Sequence, residues 1–486
     1  MAMTKITGRF VVAHDGNNHR LLRDGEVVFK DDTIVFVGRG HSAPVDAVID
    51  TGNAVIGPGF IDLNALGDLD STILAFDNHP DWAKGRVWAN DYVAKAREVY
   101  TPDEQAFKIR YAFVQLIRNG VTTALPITSM YYRAWAETYD EFAQAAETAA
   151  ELGMRAYLGP CHMSGLTLIR DDGSLDLYWD EARGLRGLDD AIRFIRAHDG
   201  AHGGLIRGML APDRIETCTA ELLKRTAAAS AELDCPVRLH CCQSLYEFDT
   251  VVRLHGRTPI EWLDSLGFLS DRALLPHGVY VTGHSQIRRP GHDLETLRAS
   301  GATVVHCPLV AMRYGEALES FARYRKLGIN VGLGTDTFPP DLIENMRHGI
   351  NLCRVVEHDK SAASAADFYS AATLGGAAAL RRNDLGRLAP GAKADITVFD
   401  LSGFHLGQFI DPIQTMVLSG SGRDFRTVII NGRIVMRDGH IPGVDLAAYH
   451  DRAQRQYDKL ISTYPERTWR HPPVGEIFTP SFPYIE

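Results

Sequence analysis

No stretch of this chain is apolar for long enough to span a bilayer, and no cluster of Lys and Arg forms a stripe that would grip nucleic acid. The 61 acidic residues outnumber the 51 basic ones and are spread along the chain, giving a net charge of -10. That balance favours solubility and points away from polyanionic partners. Cysteine is also scarce. The seven cysteines are odd in number and show no repeated CxxC spacing, which excludes a disulfide framework and predicts reduced thiols in a cytoplasmic protein. The opening "MAMTKITGRFVVAHDG" has no apolar core followed by a small-residue cleavage site, so neither secretion nor membrane insertion is expected. Internal repeats, low-complexity segments and a glycine-rich dinucleotide fingerprint after the first barrel-strand candidate are missing as well.

What is present is ample core material. With 45% hydrophobic residues in 486, the chain can bury a large interior, and its length suits two or three domains. Residues 1–56 hold short apolar and β-branched runs broken by Asp-Gly and Asp-Asp turns. Residues 389–450 repeat that style, with Asn431-Gly432 as a hairpin signal. The two ends are expected to pair into one small β-sandwich. Between them, over 57–388, strand-length apolar runs alternate with helical periodicity: "VTTALPI", "RAYLGP", "GLIRGMLAP", "PVRLHCC", "ALLPHG", "ATVVHCP" and "INVGLGTD" as strands, and 102–119, 137–153, 217–234 and 316–327 as helices. With the opening run "VIGPGFIDLNALGDLD" (55–70) this pattern predicts an α/β, TIM-like (β/α)8 barrel, a fold that takes roughly 250 residues or more. A doubly wound open sheet is the alternative architecture. Residues 451–486 are expected to form a packing arm.

"PGFID", "GTD" and "LGRLAPGAKADITVFD", in this order around the barrel-like alternation, resemble the amidohydrolase superfamily, specifically its branch of cytosine and guanine deaminases and triazine deaminases and chlorohydrolases. The resemblance spans nearly the whole chain. It implies one divalent metal at the C-terminal mouth of the barrel, zinc first, with iron, manganese or cobalt as alternatives. It implies ligands from an HxH on the first strand, a histidine on each of the fifth and sixth, and an aspartate on the eighth. Metal-activated hydroxide would attack a carbon bearing an amine or halide, with a glutamate shuttling protons.

Carried onto this chain, "VRLHCCQSLYEF" gives His240 as the fifth-strand ligand and Gln243 at the shuttle position. "ALLPHGVYVTGHSQ" gives His277, and "VGLGTDTFPPD" gives Asp336. His240, His277 and Asp336 are thus the expected metal ligands, with Asp336, His277 and Gln243 as the catalytic set. The HxH itself is replaced by Asn64-Ala65-Leu66. Strand alternation puts Asn64 and Leu66 on one face; Leu66 has no lone pair to give, and Asn64 offers a neutral amide oxygen. An amide at Gln243 holds a hydrogen bond where a carboxyl would pass a proton.

Asn64, His162 in "LGPCHMSG", His284 in "TGHSQ" and His306 in "VVHCP" are the substrate-contact candidates. Each histidine competes with a plain structural role, hydrogen-bonded in the interior or in a loop. Asp68 and Asp70 could approach the mouth or stay in a solvated turn, and Glu247 could face the site or cap a helix. Of Cys241 and Cys242, alternation sends one into the helix layer. The aromatic stretch "NHPDWAKGRVWANDY" is expected in a long loop after the first strand, as a lid or oligomer contact.

The leading expectation is a hydrolase of C–N or C–Cl bonds in a small nitrogen-containing ring or amide-like compound, working through an atypical metal site. A metal-independent, lactonase-like enzyme using Asp336 and histidines is the second, and a non-catalytic binding or scaffold protein the third. The expected partners are a small-molecule substrate and further copies of the chain in a homodimer or larger homo-oligomer, without nucleic acid or membrane.

Overall fold

The computed structural model describes residues 3–70, 72–73, 87–128 and 131–485. Among them, eight parallel strands, called first to eighth below, form the barrel: Phe60–Leu66, Val121–Ile127, Arg155–Leu158, Ile206–Gly208, Val237–Arg238, Ala273–Pro276, Thr303–His306 and Val331–Leu333. Each of the seven quoted apolar runs contains one of them, and the opening run contains the first. The first four make one ladder and the last four another. A parallel bridge between Leu210 and Val237 joins the fourth to the fifth. Closure comes from polar groups: the Asp336 amide donates to the Asn64 carbonyl at 2.9 Å, and the buried Asp62 carboxylate accepts from the Thr335 amide at 3.0 Å and its hydroxyl at 2.6 Å.

Helices follow the strands and cover them. Pro102–Arg118 starts where the sequence dictates: Thr101 and Glu104 form a capping box and Pro102 takes the first helical position, where a missing N–H costs nothing. Three expected helices begin later than the periodicity suggests. Thr138, Thr219 and Ser320 each turn a side-chain oxygen onto the first turn and so lie outside Tyr139–Leu152, Ala220–Leu233 and Phe321–Lys326. The apolar stripe continues through such a cap, so periodicity alone overshoots.

Both chain ends enter one further sheet of eight strands: Met3–His14, His19–Lys30, Thr33–Gly38, Ala47–Asp50, Ala54–Pro58, Ile396–Asp400, Phe425–Ile430 and Arg433–Met436. Ile6, Val11, Val27, Ile56, Ile396 and Ile429 fill its interior. Asn431 and Gly432, at φ 52° and 77°, make the tight turn between its last two strands. Arg155, at the start of the third barrel strand, pairs with Asp395 at 3.0 Å, which fixes this sheet near the N-terminal end of the barrel. The C-terminal end remains for a site.

Helix Leu446–Arg467 lies along Pro102–Arg118, held by Lys459 on Glu104 at 2.7 Å, Arg452 on Asp103 at 2.7 Å and Phe107 against Tyr449. No helix among the described residues is long and apolar enough to cross a membrane.

Candidate active site

Strand ends at the C-terminal face carry the chemistry. His277 and Cys307 each follow their strand directly, His240 comes two residues after the fifth, and Asp336 three after the eighth. His277 Nε2 lies 3.5 Å from Asp336 Oδ2, and the His240 and His277 rings stack with centroids 5.5 Å apart. The structure therefore gathers the three residues that the sequence nominates as ligands. It adds a fourth. One ligand atom each from His277, Cys307 and Asp336 lies within 4.8 Å of the others, all three residues buried, while His240 stands outside that tightest group.

His277 and Asp336 adopt left-handed backbone conformations, φ 79° and 46°, as does Cys242 at 61°. Aspartate and histidine are among the residues that tolerate this region, and the turns bring both side chains to the barrel mouth. His240 donates from Nδ1 to the Asp213 carbonyl at 2.8 Å, which leaves the Nε2 lone pair free to accept. Burial, then the charges of Arg214, His277 and Arg238, hold its pKa well below the usual imidazole value, so it is neutral.

Two arginines escaped the sequence reading. Arg238 precedes His240 by two, so alternation places both on one face of the strand. Its guanidinium is buried and reaches across the barrel to the Leu125 carbonyl at 2.6 Å and the Pro126 carbonyl at 3.2 Å. Arg214 donates from Nη1 to Gln243 Oε1. Because an arginine can only donate, this contact fixes the amide and turns the Gln243 NH2 away from it as a donor.

The first-strand side of the mouth is apolar. Leu66 clusters with Ile127 and Cys161. The strand's pairing slips between Asp62 and Ala65, so strict alternation fails there. Asn64 is fully buried, with Nδ2 4.0 Å from Cys307 Sγ and Oδ1 lacking a hydrogen-bond partner among the described residues.

Several candidates lie elsewhere. His162 packs under Gly187 and bonds Thr226 of helix Ala220–Leu233 at 3.2 Å, so it faces the helix layer rather than substrate; burial takes its pKa to about 4. His306 likewise points outward, against Phe321 and Phe368, with its pKa lowered by burial to about 3. The same alternation that expels His306 turns Cys307 inward. His284 is held in its loop by the Ala317 carbonyl at 3.2 Å and Glu319 at 3.7 Å, and is not brought to the His277–Asp336 pair.

Glu247 lies in the first turn of helix Leu245–His255, which Ser244 caps, and its carboxylate accepts from the loop amides of Gln243 at 2.9 Å and of Cys242. Cys241 and Cys242 both join the cluster packed between barrel and helices, their sulfurs 3.5 Å apart, because the left-handed Cys242 breaks the alternation. Asp68 enters a buried ionic cluster with Tyr132 and Lys108, which also binds Glu141 at 2.7 Å. Asp70 is buried beside it, and burial followed by the Asp68 charge raises its pKa well above the carboxylate range. Of the aromatic loop, residues 78–86 lie outside the described residues, and Trp88 and Tyr92 are buried edge to face.

A family model described as the amidohydrolase family matches residues 55–435. The chain is 28% identical over 452 residues to a 5'-deoxyadenosine deaminase of Methanosarcina barkeri, covering 91% of this chain and 94% of that protein. Among solved structures, an adenosine deaminase from Xanthomonas campestris with bound zinc superposes with a TM-score of 0.76 at 21% identity, covering 94% of this chain and 98% of that one. The atrazine chlorohydrolase of Arthrobacter aurescens TC1 complexed with zinc does so with a TM-score of 0.76 at 22% identity, covering 93% and 100%.

Proposed function

Because the chain belongs to the amidohydrolase family, we propose that it hydrolyses a C–N bond of a small nitrogen-containing ring, an amino-substituted purine or triazine being the class its relatives suggest. The observation that carries this reading is the meeting of His277 and Asp336 at 3.5 Å, with His240 stacked beside them at the mouth of the barrel.

The donor set fits a divalent metal. His277, Asp336 and the Nε2 of His240 would hold it, and the carbonyl of Asp213 orients His240 as metal-binding imidazoles require. When bound, the metal supplies a water acidified toward neutrality. The chain's own residues do the rest. Asp336 would accept a proton at Oδ2, which lies 3.5 Å from His277 Nε2. Gln243 cannot shuttle that proton; its NH2, oriented by Arg214, donates a hydrogen bond to a ring or leaving-group lone pair. Leu66, Ile127 and Cys161 offer an apolar wall for a flat ring.

One observation favours a metal-independent reading as the alternative. The Arg238 guanidinium, two residues before His240, is buried and bonded to the Leu125 and Pro126 carbonyls, so a fixed cation already stands near the site.

The test is ammonia or chloride release from 5'-substituted adenosines, aminopurines, aminotriazines and chlorotriazines, with and without added zinc. Activity that is lost on chelation and in Asp336→Asn supports the metal hydrolase; activity that survives chelation favours the alternative. No turnover across the panel by zinc-loaded protein overturns both.

A further inference from the structure

We infer that Cys307 is itself a metal ligand, so that the site is a mixed histidine, thiolate and carboxylate site built on the seventh strand rather than the first. This rests on the metal reading above and changes which atoms hold the ion.

Three observations meet at this sulfur. Ligand atoms of His277, Cys307 and Asp336 lie within 4.8 Å of one another, a tighter grouping than any that includes His240. Cys307 is buried at the mouth, facing the interior, because alternation along the seventh strand turns His306 outward. Finally, Asn64 points its Nδ2 at the sulfur across 4.0 Å while its Oδ1, fully buried, has no hydrogen-bond partner among the described residues. A buried amide oxygen left unpaired is destabilising unless something supplies a partner. A water or substrate N–H held beside the ion would be one.

The chemistry explains how the first strand can do without its HxH. A catalytic zinc needs three protein ligands and an open position, and an imidazole, a thiolate and a carboxylate supply them. The thiolate and carboxylate carry two negative charges, which neutralise a divalent ion, and the sulfur supplies a lone pair in place of those of the missing first-strand imidazoles. Ion binding displaces the Cys307 proton to solvent, and the sulfur lone pair forms the bond. Asn64 is then a positioning residue: an amide N–H aimed at a sulfur suits a thiolate acceptor, whereas a histidine there would compete for the ion. Sulfur in the set selects zinc or cobalt over magnesium or manganese.

The experiment uses the full chain, stripped of metal and reloaded with cobalt(II) or zinc. Cobalt loading should give a near-ultraviolet thiolate-to-cobalt charge-transfer band. X-ray absorption of the zinc form should show one sulfur at about 2.3 Å. Both signals should vanish in Cys307→Ser, with zinc affinity at least about tenfold weaker, and persist in Cys241→Ser and Cys242→Ser. The two wild-type signals do not depend on how the variants fold. Bound metal with only nitrogen and oxygen neighbours overturns the inference and leaves the metal-hydrolase reading standing. Sulfur that survives Cys307→Ser and disappears with Cys241 or Cys242 also overturns it, placing the ion with Cys241, Cys242 and Glu247, the other buried group of suitable side chains among the described residues. Failure to bind metal stoichiometrically overturns both.

Discussion

Asn64 on the first barrel strand and Cys307 at the end of the seventh face each other at 4.0 Å, amide nitrogen toward sulfur, across the mouth of the barrel. This contact occupies the place where the family resemblance calls for a histidine. It also makes Asn64 an unusual buried residue, satisfied on one side of its amide and unsatisfied on the other.

Asn64→Leu should therefore separate stability from function. Removing an unpaired buried amide and filling its volume with methyl groups is expected to leave the unfolding free energy unchanged or raise it by up to about 1 kcal/mol. Turnover or metal affinity should fall at the same time. Denaturant melts alongside activity assays decide it; a loss of more than about 2 kcal/mol would show that Asn64 is a structural residue.

Gln243→Glu puts back the shuttle carboxyl, but Arg214 already bonds that position. The new carboxylate should pair with the guanidinium and stay ionised, so the single variant should gain less than about tenfold in rate. Freeing it with Arg214→Ala should release more of the roughly 10²–10⁴-fold that acid–base catalysis commands. Steady-state kinetics of the two single variants and the double variant measure the coupling. A large gain in Gln243→Glu alone would show that Arg214 does not control this side chain.

Glu137 makes stability depend on pH. Burial, then the charge of Glu141, pushes its carboxyl up to about 7. Since the folded value exceeds the ordinary carboxyl value of 4.5, the folded state binds more protons in between. The stabilisation is present at low pH and is lost as pH rises through about 7, amounting to about 3 kcal/mol. Glu137→Gln should remove that slope. Its stability gap from the wild type should narrow between about pH 4.5 and 7.5 in thermal melts; a gap independent of pH would refute the assignment.

Lys108 sits with no exposed surface between Glu141, at 2.7 Å, and Asp68, at 3.7 Å. Burial alone would raise the Glu141 carboxyl, yet the charges of Arg133 and Lys108 outweigh it and hold the pKa well below the carboxylate range. Lys108→Met strips one of those cations and should cost about 3–5 kcal/mol, the usual penalty for orphaning a buried charge. Urea unfolding midpoints report it, and an effect under about 1 kcal/mol would mean that Arg133 alone suffices.

The barrel was legible along the chain because each strand had to be apolar and each helix amphipathic, and those periods of two and 3.6 residues are printed in the order of the residues. The family resemblance, and with it His240, His277 and Asp336, rested on motifs local in sequence. Tertiary structure decided what those three residues have for company. Whether His306 or Cys307 looks inward depends on the phase of one short strand. Arg238 matters because it crosses the barrel to carbonyls more than a hundred residues away in sequence. The slip in the first strand that seats Asn64 against Cys307 is a property of strand pairing, which no local pattern specifies. Short-range spacing writes the elements. Only closure of the barrel brings Asn64, from its first strand, and Cys307, from its seventh, within reach of each other, and that proximity sets the chemistry of the site.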